Sequence, residues 1–451
     1  GEASSDKSGN SVSLSEDGSI VAIGASLNDG SGFGSNYGHV RIYEYDGSSW
    51  VQLGSDIDGE FSNDKSGGSV SLSADGFTVA IGAEQNDGNG SASGHVRIYR
   101  FDGSVWTKLG NDIDGEAAGD QSGSSVSLSD DGNTVAVGAF RNDENGNNSG
   151  HVRIYELISG VWIKLGSDID GEATSDESGS SVSLSADGSI VAIGAGLNDG
   201  NGSASGHVRI YELISGVWTQ LGNDIDGEAA GDRSGRSVSL SDDGNTVAIG
   251  ASLNDENGNS SGHVRIYEFD GSVWTQLGND IDGEATDDES GSSVSLSDDG
   301  STVAIGAIEN DENGNNSGHA RVYSLPSPVN NVTQATGYLT IQAAINAANP
   351  NDVIEVDAGT YSENIDIDKE LDIRGANFGV ACDASRSAES IIDDADTTIT
   401  ISSDNVSIDG FTINGNVAIS SINNSNITIQ NNIINADQTG ILVAAATAPF
   451  V

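Results

Sequence analysis

The chain has 451 residues, and 17 basic against 69 acidic side chains give a formal net charge of −52. That charge makes nucleic acid and anionic membrane surfaces poor partners, and it favours a salty or calcium-rich medium that screens it. Sixty-one glycines and only 4 prolines, with strands of β-branched and aromatic residues recurring regularly, describe a turn-rich all-β chain and exclude disorder.

The length accommodates two or three domains. Cys382 is the single cysteine, so no intrachain disulfide forms. No apolar run is long enough to span a bilayer, so membrane insertion of this chain is not expected. With no methionine at all and a first residue inside a repeat loop, the chain reads as a processed or partial piece of a longer exported protein.

From Gly1 the same text recurs, beginning again at Gly59, Gly115, Gly171, Gly227 and Gly283. The first interval is 58 residues and the others 56. A fixed period of this size marks an array whose units cover one another's apolar faces. In the fifth copy four strands are predicted, at Ser237–Ser241, Thr246–Ala251, His263–Glu268 and Val273–Leu277. Asp243-Gly244 joins the first two as a tight turn. Four antiparallel strands per unit and six units predict a six-bladed β-propeller over residues 1–325, with seven blades as the alternative count. A linear β-solenoid would use a shorter period.

Val247 and Ile249 share one strand face, leaving Ala248 and Gly250 on the face where a neighbouring blade could approach closely. Trp50, Trp106, Trp162, Trp218 and Trp274 recur once per unit and are read as anchors packing on the next blade. The six histidines, His39, His95, His151, His207, His263 and His319, occupy one repeat position. Equivalent positions are spread around a ring, so they are expected to hydrogen-bond nearby carboxylates and not to share a metal.

Two loop classes carry alternating oxygen ligands and glycine, the pattern a hard cation such as calcium requires. The candidate calcium ligands are Asp112, Asp114, Glu116, Asp120, Asp143, Asn145, Asp255 and Asn257; the plainer reading is Asx turns on a solvated surface. The repeats differ most just before each Asn-Asp loop. Glu84, Gln85, Phe140, Arg141, Leu197, Ile308 and Glu309 are therefore the candidate ligand-binding residues.

The order SG-x-SV, DG, VAIGA, GHVRIYE, W-x-x-LG and DGEAAGD resembles the bacterial FG-GAP repeat, the family that also builds the integrin α-chain propeller. Ser stands for the Phe of the FG pair at positions such as Ser122 and Ser178, and residues such as Glu84 and Phe140 replace the Pro of GAP. The family's calcium loop lies between the first two strands, where this sequence has a tight Asp-Gly turn, so that site does not carry over.

Pro326-Ser327-Pro328 opens a linker over 326–335, and the pattern then changes. Thr340–Asn349 has helical spacing, with Ile341, Ala344, Ile345 and Ala348 on one side. Short strands follow at Val353–Val356, Ile365–Ile367, Leu371–Ile373, Thr398–Ile401, Val406–Ile408, Phe411–Ile413, Ile427–Ile429 and Ile433–Ile434. Asn405, Asn414, Asn424, Asn431 and Asn432 sit at the corners. This predicts the start of a right-handed parallel β-helix over 336–451. Its opening, YLTIQAAINAANPNDVIEVDAGTYSENIDIDKELDIRGAN, resembles the start of pectin-lyase-like domains, where a helix caps the first coil. Further coils or a cap are expected beyond it.

Lyases of that fold use a basic proton abstractor beside acidic calcium ligands, whereas here the basic residues are Lys369, Arg374 and Arg386. Asp393, Asp394 and Asp396 cluster, as chance allows in so acidic a chain. The expectation is a non-enzymatic extracellular or cell-surface binding or adhesion protein, whose loops bind a glycan or protein and whose β-helix extends it, as part of a larger surface polypeptide or complex. The alternatives are a secreted polysaccharide-active enzyme targeted by its propeller, and a passive structural stalk.

Overall fold

A computed structural model describes residues 1–444 apart from 30–34, 270, 326–327, 335, 339, 362, 382–384, 387, 394–396 and 423. Pro326, Ser327, Cys382, Asp394 and Asp396 therefore lie outside the described residues. The chain forms two compact units, Gly1–Glu268 with Val273–Tyr323 and Ser324–Val451 with Phe269–Ser272. No described helix is long and apolar enough to cross a membrane.

The first unit is a six-bladed propeller of antiparallel sheets. In the third blade the strands are Ser125–Leu128, Thr134–Ala139, His151–Ile158 and Val161–Lys164. A fifth, Ile169–Asp170, was not anticipated. It pairs with His151 and Val152, while Val161–Lys164 pairs with Tyr155–Ile158 further along the same edge. The outer strand is thus broken in two, with Leu165–Asp168 looping out between the halves.

The Asp-Gly connection is longer than a two-residue hairpin. Gly132 alone takes positive φ; its N–H donates to Ser129 O at 2.9 Å, and Asp131 Oδ1 accepts from the Asn133 N–H at 2.9 Å. These turns are also chained together. Glu16 donates to Ala74 O, Ala74 to Asp130 O, Asp130 to Ala186 O, Ala186 to Asp242 O and Asp242 to Asp298 O, all at 2.9–3.1 Å.

Blades approach closely, as expected at the VAIGA glycine. A Cβ on Gly138 would lie 2.1 Å from the carbonyl oxygen of Gly179 in the next blade. That oxygen accepts the Ser125 hydroxyl at 2.8 Å. The same trio recurs at Gly82, Gly123 and Ser69 and at Gly194, Gly235 and Ser181. Because a neighbour lies on both sides, Val135, Ala136 and Val137 are all buried, and the expected alternation gives way to a strand enclosed on both faces.

Each tryptophan anchors its blade to the preceding one, not the next. Trp162 Nε1 donates to Leu109 O at 2.8 Å, and Trp106, Trp218 and Trp274 repeat the contact. Trp50, in the first blade, is 48% exposed, against 4% for Trp162. The first and sixth blades flank a groove of about 690 Å³ lined by Val12, Leu14, Leu296 and Ile305. Val12 is 63% exposed and Val322, on the sixth blade, 70%, although their counterparts Val70 and Ile266 are buried. The sixth sheet has three strands, Ser290–Leu296, Thr302–Ala307 and His319–Ser324.

The second unit is a parallel β-helix of about four turns. Asp352–Val356, Leu371–Arg374, Ser407–Asp409 and Thr428–Gln430 stack in parallel on one face. Gly359–Tyr361, Ser390–Asp393 and Phe411–Ile422 stack on a second, and Ile365–Ile367, Thr397–Ile401 and the end of Phe411–Ile422 on a third. The helix is Ile341–Ala347, shorter than predicted; the Thr340 hydroxyl accepts from the Ala343 N–H, and Ile341, Ala344 and Ile345 join the core. Asparagines ladder at the corners as expected, Asn426 on Asn405 at 2.9 Å and Asn435 on Asn414 at 3.0 Å.

Replacing Trp162 with alanine removes a buried indole and should cost about 3–5 kcal/mol, while Trp50→Ala should cost less than about 1 kcal/mol because little burial is lost. Urea midpoints of the two variants check this; equal shifts would contradict the asymmetric anchoring.

Candidate functional site

The loops between second and third strands and the linkers between blades lie at the same end of the sheets, where each third strand begins. A buried carboxylate fixes them. Asp120 Oδ2 accepts from the Ala117 N–H at 3.0 Å within the linker and from Asn142 Nδ2 at 3.2 Å in the adjoining loop. Asp64, Asp176, Asp232 and Asp288 repeat this lock with Asn86, Asn198, Asn254 and Asn310.

Within the loop, Asp143 Oδ1 accepts from the Asn148 N–H and Asp255 Oδ1 from the Ser260 N–H, both at 2.8 Å. Asn145 and Asn257 donate to the linker carbonyls of Gly171 and Gly283 at 2.7 Å. Asp114 lends its backbone carbonyl to Arg153 at 3.0 Å. Asp112 meets Arg97 at 2.8 Å and Lys108 at 2.7 Å. Burial pushes its carboxyl up, but those two hydrogen bonds outweigh it and bring it to about 2. The eight residues expected to bind calcium are therefore distributed over separate hydrogen-bonded turns and are not brought together as one set.

Asp112 and Glu116 are exceptions, each with partners that were missed, and Glu116 belongs to the larger group. It converges with Glu144, His151 and Asp168, one ligand atom of each lying within 4.8 Å of the others. Glu228, Glu256, His263 and Asp280 repeat the arrangement in the fifth blade. The first, second and fourth blades have three-membered versions, Glu2–His39–Asp56, Glu60–His95–Asp112 and Glu172–His207–Asp224. The fourth member is lost where glycine replaces it: Gly88 and Gly200 stand where Glu144 and Glu256 stand. The histidines do not meet one another, as expected, but the hydrogen bonds expected of them are incomplete. Both ring nitrogens of His151, and Nδ1 of His263, are buried without a hydrogen-bond partner. Burial and the adjacent Arg153 lower His151 to about 4, so it is neutral at pH 7.

The candidate ligand-binding residues end up beside the linkers. Glu84 pairs with Lys65 at 3.3 Å. The Arg141 guanidinium lies 5.3 Å from the centre of the Phe140 ring. Gln85 and Glu309 donate their N–H groups to the carbonyls of Asp64 and Asp288, both at 3.3 Å, and Ile308 is exposed. Leu197 and Gly196 line a depression of about 260 Å³ with Glu177, Ser180, Arg233, Arg236 and Ser292. Burial raises Glu177 above its usual range, and Arg141, Arg233 and Arg236 pull it back. Three of the chain's 17 cations therefore act on one carboxylate.

At the opposite, Asp-Gly end, acids gather against one another. Burial, then Asp298, Asp130, Glu16 and Asp243, raise Asp242 to about 7. In the β-helix each basic side chain is engaged: Lys369 with the carbonyls of Ile345 and Asn346, Arg374 with Asp372 and Glu355, Arg386 with Glu389.

An FG-GAP repeat match covers residues 113–155, 225–267 and 281–323. The chain is a β-propeller followed by a parallel β-helix, and three segments of its propeller match the FG-GAP repeat. No curated protein matches the sequence. Similar solved structures include hydrazine synthase of Kuenenia stuttgartiensis, 13% identical over 70% of this chain and 84% of that one, with a TM-score of 0.44. A proposed 6-phosphogluconolactonase of Bacteroides uniformis is 12% identical over 73% of this chain and 83% of that one, with a TM-score of 0.47. Likeness at that level carries no activity across.

Asp242 titrates near 7 when folded against its ordinary 3.8, so between those values the folded state holds the extra proton. Stability should fall as pH rises from 4 to 7 and stay lower above. Asp242→Asn should flatten that slope and raise the melting temperature at pH 8, read by thermal unfolding from pH 4 to 8.

Proposed function

We propose that the protein is a non-enzymatic binding or adhesion module of the cell surface or extracellular space. Its propeller takes an acidic glycan or an acidic protein side chain at the loop end, and its β-helix is a rigid extension. The observation that carries this reading is the broken symmetry there. Strands and turns are nearly identical from blade to blade, yet Arg141 of the third repeat and Arg233 and Arg236 of the fifth act on the same carboxylate, Glu177 of the fourth. Guanidinium groups bind carboxylate and sulfate through paired hydrogen bonds. In a chain of charge −52 such a patch is locally opposite to the rest and favours an anionic group placed there alone.

Engagement of Lys369, Arg374 and Arg386 in structural contacts supports the non-enzymatic reading, since none is left poised as a proton abstractor. Calcium in the acidic loops belongs to the same proposal, as a screen for their charge.

Binding to arrayed uronate-bearing or sulfated glycans and acidic peptides at 0.15 M salt tests the proposal. Arg233→Ala with Arg236→Ala should weaken binding on the order of 100-fold, as expected when two charge-assisted contacts of about 1.5 kcal/mol are lost. Unchanged binding by that variant would place the ligand elsewhere.

A further inference from the structure

Repetition supplies an internal comparison at the histidine clusters. In every one of the first five blades a carboxylate from the linker and another from the looped-out outer strand face the histidine that begins the third strand. What differs is how that histidine and its acids are otherwise satisfied. In the first blade Arg41 takes Asp56 at 2.7 Å, and in the second Arg97 and Lys108 take Asp112. From the third blade on, the arginine turns away from that aspartate, although in the third blade Lys164 still takes Asp168 Oδ1 at 2.6 Å. Arg265 Nη2 donates to Asp226 O at 2.9 Å and Nη1 lies 3.4 Å from Glu228 Oε1.

Glu228 Oε2 is thereby left facing His263 Nδ1 at 4.0 Å, with Asp280 Oδ2 at 3.6 Å from the same nitrogen. His263 is 1% exposed and His151 0%, and neither finds a hydrogen-bond partner at Nδ1. An unpaired imidazole nitrogen buried among three carboxylates costs stability unless something between them accepts its lone pair and offsets their repulsion.

We propose that Glu228, Glu256, His263 and Asp280, and their counterparts Glu116, Glu144, His151 and Asp168, each bind one divalent transition-metal ion of the Zn²⁺ type. One imidazole nitrogen with three carboxylate oxygens suits Zn²⁺, whereas calcium and magnesium select oxygen alone. A tetrahedral site with bonds of about 2.0–2.2 Å sets its ligand atoms roughly 3.4 Å apart. Atoms already within 4.8 Å reach that spacing by small side-chain rotations. Both glutamates are exposed and the histidine is buried, so the ion has a solvent-facing approach and a fixed inner ligand. The ion would tie linker, loop, third strand and outer strand of one blade together, and this holds whether or not the loop end binds a ligand.

The test uses the full chain, stripped with chelator and titrated with Zn²⁺ by calorimetry, with metal content measured after dialysis. Two equivalents should bind, millimolar Ca²⁺ should not displace them, and Co²⁺ in their place should show the absorption of a four-coordinate nitrogen–oxygen site. Glu256→Gln, at an exposed position, should remove one equivalent or weaken it more than about 100-fold, beyond the usual cost of losing an outer-shell partner. Gly200→Glu should complete the fourth-blade set of Glu172, His207 and Asp224 and raise the stoichiometry from two to three. Zn²⁺ uptake unaffected by Glu256→Gln and by His263→Ala, displacement by Ca²⁺, or no uptake at all would overturn the proposal.

Discussion

Where one blade meets the next, two glycine backbones touch, and the rest of the propeller depends on that contact. A Cβ on Gly82, Gly138 or Gly194 would lie 2.0–2.1 Å from the neighbouring carbonyl oxygen, closer than any side chain tolerates. The serine hydroxyl that satisfies the same oxygen removes the cost of burying it. Such an approach brings both faces of the second strand against apolar neighbours, so Val135, Ala136 and Val137 are all enclosed. The tryptophan at the periphery then closes the wedge from outside, on the blade before it.

Holding the strands this tightly leaves chemistry to the loops, and the loops divide it. Buried aspartates such as Asp120 spend their oxygens on backbone and asparagine, which fixes the loop frame. On that frame the outer carboxylates meet a buried histidine, and a glutamate or glycine at one loop position sets whether the group has four members or three. Beside Gly196 and Leu197, Arg233 and Arg236 line a depression with Glu177. One scaffold thus carries two kinds of polar site, differing only in residues that the strands do not need.

Much of this was legible in the sequence, for reasons that can be named. Six copies average away local ambiguity, so strands such as Thr246–Ala251 were placed to the residue. Gly250 could be marked as a point of close approach because it shares a face with alanine. Ile169–Asp170 escaped because two residues carry no period, and its pairing depends on a loop-out fixed only in three dimensions. In the β-helix, Gly359–Tyr361 and Ser390–Asp393 were missed because each presents too few apolar positions to alternate. Phe411–Ile422 was cut short at Asn414, where the ladder shifts register around Gly415 but does not end. The histidine clusters draw on linker, loop, strand and outer segment at once. The available signal was the exchange of Glu144 and Glu256 for Gly88 and Gly200 between otherwise matching loops.

The glycine contact has a consequence for how such a protein changes over generations. Because the five interfaces between successive blades use the same trio of atoms, each of these blades presents to its follower the surface that it received from its predecessor. A length change inside a strand would misplace a glycine by ångströms, whereas the two extra residues of the first interval leave the Gly24–Gly67 contact in place, and adding or removing a whole 56-residue period regenerates a compatible junction on both sides. Nearly identical copies are also the substrate on which unequal recombination acts. The array is therefore built to vary in whole blades, with loop substitutions riding along as passengers.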